Sequence, residues 1–179
     1  MVAAGRHGRA GPARKRLTKR RLTNIAAYYL QRHASSVANF RQVLRRRVRR
    51  ELVPGADPVE ANGWIDEIVA DFVARRLLND QTYAAARVVR DRMLAKAPRK
   101  TRAALLAKGV ASTIVNDAVR DDGSAEWSAA LAVARRRRLG PYSVKPRDPD
   151  TDRRDLGVLG RAGIGFAVAK KVMALSEPP

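Results

Sequence analysis

A helix–glycine–helix unit occurs twice in this chain, 54 positions apart. Residues 97–119 read APRKTRAALLAKGVASTIVNDAV, and residues 158–172 read VLGRAGIGFAVAKKV. Setting Gly109 on Gly163 pairs Leu105 with Leu159, Val110 with Ile164, Ile114 with Val168 and Val119 with Met173. In each copy an apolar helix end and a basic residue lead into glycine, an apolar residue and an amphipathic helix. A repeated helical unit points to helices stacked in series, and a stack presents a long surface rather than a pocket. Much of the apolar content is alanine, and only nine of 179 residues are aromatic. That favours closely packed helices over a sheet.

Around the echo, nine helices are expected in three triplets. Leu22, Ile25, Ala26, Tyr29 and Leu30 share one helical stripe. Ser35 and Ser36 are candidate N-caps for a helix bearing Phe40, Val43, Leu44 and Val48, which Pro54, Gly55 and Pro58 break. Trp64, Ile65, Ile68, Val69 and Phe72 form a third stripe. Asn79 and Asp80 open the second triplet before Tyr83, Ala86, Val89, Arg90 and Met93. Pro98 starts its next helix, Gly109 ends it, and Ser112 caps a short one. In the third triplet Trp127 takes the place of Tyr83, and Arg135–Arg138 close the helix. After a loop over 140–150, helices follow near 152–162 and 165–175. Gly157 and Gly160 each cost about 1 kcal/mol against alanine in a helix, so fraying or a kink is expected there. The domains expected are a disordered basic arm over 1–21 and three-helix repeats over 22–78, 79–123 and 124–175.

The charge balance narrows the partner. Thirty-seven Lys and Arg face seventeen Asp and Glu, a formal net charge of +20. Residues 1–21 hold eight basic residues and no acid, so the remainder still carries +12. Such a balance implies a polyanion or an acidic protein face. With no cysteine, disulfides, thiolate catalysis and cysteine-held zinc are excluded. No apolar run is long enough to cross a membrane, and the arginine-rich start lacks the apolar core of a secretory signal, so a cytoplasmic location is the default. The two histidines, His7 and His33, complete no triad or zinc pattern, and GRAGIG at 160–165 lacks the lysine ending of a phosphate-binding loop. No catalytic residue, metal or cofactor is expected.

The basic clusters carry the functional expectation. Arg41, Arg45 and Arg49 recur at i, i+4 on the second helix, among Arg46, Arg47 and Arg50. Arg99, Lys100, Arg102 and Lys108 mark the middle helix of the second triplet; Arg153, Arg154 and Arg161 mark that of the third. Like charges at this spacing repel, so stability does not explain them. Aligned along one side of a stack they would track a phosphate backbone without reading sequence. Tyr83, Trp127, Trp64 and Phe72 fall on apolar stripes, and no aromatic residue interleaves with the arginines as base stacking would favour.

LLNDQTYAAARVVRDRM followed by the 97–119 segment resembles the middle repeat of the RecX family of bacterial recombination regulators. RLTNIAAYYLQRHASSVANFRQVLRRRVRR with WIDEIVADFVARRLLND is similar to the family's first repeat, and WSAALAVARRRRLGPY with DLGVLGRAGIGFAVAKKVM to its third. The likeness covers roughly residues 20–175 and is tightest in the middle. Asn79 stands where the family pairs two aspartates, and Tyr83 where it has Phe.

The resemblance implies an all-α fold, a curved array of three tandem three-helix repeats. It implies a non-enzymatic monomer that binds the filament of RecA on single-stranded DNA and dampens its ATPase, recombinase and co-protease activities. Single-stranded DNA is the expected nucleic acid, with double-stranded DNA a second candidate. The expected DNA- and RecA-binding residues are Arg41, Arg45, Arg49, Arg99, Arg102, Lys108 and Arg135. The alternative is a nucleoid-type protein that grips DNA phosphates on its own.

Overall fold

A computed structural model describes residues 17–51, 57–120, 123–144 and 148–178. Nine α-helices lie among them, with no strand: α1 (Lys19–Arg32), α2 (Val37–Glu51), α3 (Pro58–Ala74), α4 (Asp80–Met93), α5 (Pro98–Ala107), α6 (Ser112–Ala118), α7 (Ser124–Arg137), α8 (Pro149–Arg161) and α9 (Phe166–Met173). The fold is all-α. The described residues divide into two compact units, one holding those up to His33 and those within Phe40–Leu77, the other Ala34–Asn39 and those from Leu78 onward.

In the first unit, Thr18 caps α1 by accepting from the Arg21 backbone N–H. The helix therefore starts inside the stretch expected to be a disordered arm, and Leu17 is already buried. Residues 1–16 of that arm lie outside the described residues. Phe40, Leu44 and Val48 repeat every fourth residue of α2 and are buried, as are Leu22 and Ala26 of α1 and Ile65, Ile68, Val69 and Phe72 of α3. Phe40 stacks on Phe72 with ring centroids 5.8 Å apart. Asp57 caps α3, accepting from the Val59 N–H at 2.7 Å.

In the second unit α4, α5 and α6 close around Ala84, Val88, Leu105, Val110, Val115 and Val119. A further core of α7, α8 and α9 is built on Ala130, Ala134, Leu159, Ile164, Ala169 and Val172. The sequence echo is thus a structural one. Leu105 and Leu159, Val110 and Ile164, and Val119 and Met173 are buried in pairs. Gly109 (φ +73°) and Gly163 (φ +91°) turn the chain in the left-handed region. The Val110 N–H reaches back to the Leu105 carbonyl, and Ile164 does the same to Leu159. Tyr83 and Trp127, each fourth in its helix, pack partly buried against the two cores.

Ser36, Asn79 and Asp148 cap α2, α4 and α8 through side-chain oxygens. Three expectations are corrected. Ser112 is the first residue of α6 rather than its cap; Ala111 holds that position without a side-chain bond. The α4 stripe is rotated: Ala84, Val88 and Asp91 are buried, whereas Val89 is 57% and Met93 83% exposed. A buried aspartate on that face defeats hydrophobic periodicity. Finally, α8 runs unbroken through Gly157 and Gly160, anchored at its start by Asp148, which accepts from both Asp150 and Thr151.

Candidate nucleic-acid interface

α2 presents its arginines in two rows. With 3.6 residues per turn, Arg41, Arg45 and Arg49 lie about 100° round the helix from the buried Phe40–Leu44–Val48 line, and Arg46 and Arg50 about 100° further on, nearly opposite it. Acids quench part of this charge. Arg41 lies 3.3 Å from Asp66, while Glu51 faces both Arg47 and Arg21. Arg45, Arg46, Arg49 and Arg50 are exposed and have no acid partner among the described residues.

Arg46 and Arg50 face a groove of about 380 Å³ between α1 and α2. Its α1 wall carries Ile25, Tyr28 and Arg32, and its α2 wall adds Val43. Tyr28 is 55% exposed, and the Arg32 guanidinium sits 4.6 Å from its ring centroid. No acidic residue lines the groove. The expectation that no aromatic interleaves with the arginines is corrected here: Tyr28 stands outside the buried stripe, one helical turn from Arg32 and across the groove from Arg46 and Arg50.

In the second unit, Arg99 and Lys100 are exposed at the start of α5. Arg102 is instead occupied internally, donating to Asn116 Oδ1 and, at 3.1 Å, to the Val119 carbonyl at the end of α6. Lys108 is exposed and donates to Asn39 Oδ1 at 3.0 Å, while its carbonyl accepts from the Ser36 hydroxyl. Arg135 is exposed at the end of α7. A second basic groove, about 350 Å³ between α7 and α8, is lined by Arg136, Arg137 and Arg161 over Val133 and Val158. Of the seven expected residues, Arg41, Arg45 and Arg49 form one row in the first unit, and the other four belong to the second, on α5, its C-terminal turn and α7.

The buried polar cluster is structural in geometry. Asp91 is 1% exposed and accepts from Arg87 Nε at 2.8 Å, Lys96 Nζ at 3.0 Å and the Thr101 hydroxyl at 3.3 Å. Burial alone raises a carboxyl pKa, but the hydrogen bonds from Arg87 and Lys96 outweigh it and hold Asp91 below the usual carboxylate range. No group of His, Asp or Glu able to hold a metal occurs among the described residues. No described helix is long and apolar enough to cross a membrane.

No family model matches the chain. It is 37% identical over 168 residues to the regulatory protein RecX of Myxococcus xanthus, covering 91% of this chain and 90% of that one. The chain belongs to the RecX family of regulatory proteins. The RecX of Agrobacterium fabrum is 26% identical over 153 residues, 86% of this chain and 82% of that one. Two crystal structures share the fold. One, of regulatory protein RecX, has a TM-score of 0.66 at 17% identity over 86% of this chain and 70% of its own. The other, RecX from Lactobacillus salivarius, has a TM-score of 0.61 at 19% identity over 87% and 94%.

In this RecX-family chain the sequence singles out the Arg41–Arg45–Arg49 row and does not show that Tyr28, Arg46 and Arg50 meet at one groove. The available signal was a pair of i, i+4 spacings, Tyr28 with Arg32 and Arg46 with Arg50. Neither says that two helix faces meet across one groove.

Proposed function

We propose that this chain is a non-enzymatic regulator that docks on the nucleoprotein filament of RecA on single-stranded DNA. By docking it restrains the filament's recombinase, ATPase and co-protease activities in DNA repair. It acts as a cytoplasmic monomer, through electrostatic contacts rather than chemistry. The observation that carries this reading is the set of exposed, acid-free arginines on α2, Arg45, Arg46, Arg49 and Arg50, in a RecX-family chain of net charge +20. Charges of one sign so close together repel; the phosphates of a polyanion neutralise them, and the counterions this releases drive binding. Arg99, Lys108 and Arg135 supply further basic contacts from the second unit in this reading. Arg41 and Arg102 contribute less, because Asp66 and the α6 end already engage them.

RecA's DNA-dependent ATPase, measured with sub-stoichiometric protein, tests it. A fall in rate with binding to RecA-coated DNA is expected; an unchanged rate with no such binding overturns it. The same free arginines also suit a nucleoid-type protein that grips naked duplex. That reading requires tight duplex binding, with a log–log salt slope of about −0.9 per phosphate contact.

A further inference from the structure

We infer that the groove between α1 and α2 is a stacking site for an unpaired nucleobase of a single-stranded nucleic acid, with Arg46 and Arg50 holding the flanking phosphates. The inference rests on the proposed contact with nucleic acid and assigns part of it to a particular place. Three features point to this occupant. Tyr28 leaves more than half of its surface in water although it borders an apolar wall, Ile25 and Val43. An aromatic face beside apolar side chains recovers most when a flat, apolar ring covers it. Arg32 already lies against that ring and adds a planar cation on which a base also stacks.

The charge is the second feature. Arg32, Arg46 and Arg50 are exposed, no acid lines the groove, and Arg46 and Arg50 lie one turn apart, about 6 Å along the helix. That rise is comparable with the distance between successive phosphates of an extended strand. The third feature is size. The groove, about 380 Å³, accommodates a base with its sugar, but not a paired duplex, whose base faces are covered by their neighbours. Base stacking does not depend on which base is present, so the site takes any sequence.

Fluorescence anisotropy of the full chain with a labelled oligo-dT, without RecA and at fixed salt, tests the groove. Tyr28→Ala is expected to weaken single-strand binding about tenfold or more, and Tyr28→Phe to retain it. Binding of a labelled duplex should be the same for wild type and Tyr28→Ala. Arg46→Ala with Arg50→Ala should weaken the single strand and flatten its salt dependence. Circular dichroism confirms that each variant is folded. Wild-type oligo-dT affinity in Tyr28→Ala overturns the inference, as does an equal loss on single strand and duplex. Tighter binding of a labelled poly-glutamate peptide than of oligo-dT overturns it in favour of an acidic protein segment. RecA is absent from this assay. A Tyr28→Ala protein that binds oligo-dT normally and still slows RecA's ATPase sinks the groove alone. A wild-type protein without effect on RecA sinks the proposed function alone.

Discussion

Gly109 carries no side chain because Ala38 occupies the space: a Cβ built on Gly109 would lie 2.5 Å from the Ala38 Cβ. The same contact recurs at Gly163, where a Cβ would lie 2.9 Å from Lys100 Cγ and 3.4 Å from the Ala97 Cβ. Each glycine turn thus meets the start of an earlier helix, α2 in one case and α5 in the other. The Ser36 hydroxyl bond to the Lys108 carbonyl and the Asp80 bond to the Val37 N–H, 2.9 Å, fix the first of these meetings. Gly109→Ala must both hold an L-residue at φ +73° and displace Ala38. A loss of about 2 kcal/mol or more is expected in urea unfolding. Gly123→Ala, at φ +92° but with nothing near its Cβ, should lose only the backbone part.

Gly160 predicts the opposite sign. It lies inside α8 with nothing near its Cβ. Gly160→Ala should stabilise the protein by about 0.5–1 kcal/mol, because alanine loses less backbone entropy in a helix. Thermal unfolding should show a rise of a few degrees. An unchanged or lower Tm would mean that α8 is not helical at this position in solution.

Asp91 sets a pH dependence. Its pKa is lowered on folding, so its contribution is fully present above the unfolded carboxylate value, about 3.9, and is lost as pH falls through its lower folded value. Asp91→Asn should be destabilising at pH 7, by about 2 kcal/mol, and the gap to wild type should narrow only in strong acid. Urea unfolding of both proteins from pH 7 down to pH 2 measures it. A gap that stays constant contradicts the assignment.

Arg102 and Arg99 should separate. Arg102→Ala removes two bonds to the end of α6 and should cost about 1–2 kcal/mol of stability. Arg99→Ala should leave stability within about 0.5 kcal/mol. Under the proposed function it should also reduce the salt slope of DNA binding by about one phosphate contact. Chemical unfolding and salt titration of both variants check this.

What the sequence made legible is whatever local pattern encodes. Helix starts at Asn79 and Pro98, the glycine turn at Gly109 and its echo at Gly163 all rest on neighbours within a few positions. What it concealed depends on distant partners. Asp91 turns α4 because Lys96, Thr101 and Arg87 converge on it, and periodicity counts an aspartate as outward-facing. Arg102 reads as one more surface arginine until Val119 is seen beside it. That Arg46 and Arg50 share a groove with α1 was concealed too, since both arginine rows satisfy the same spacing.

Competition between RecA-coated single-stranded DNA and naked DNA, at about 150 mM salt, separates a filament-directed protein from one that grips DNA alone. The expected result is that coated filaments displace the protein from both naked duplex and naked single strand. Reversing the charge of Arg45 and Arg49 together should abolish that preference while leaving the fold intact by circular dichroism. Equal or tighter binding to naked DNA, or a filament preference that survives the charge reversal, would contradict it.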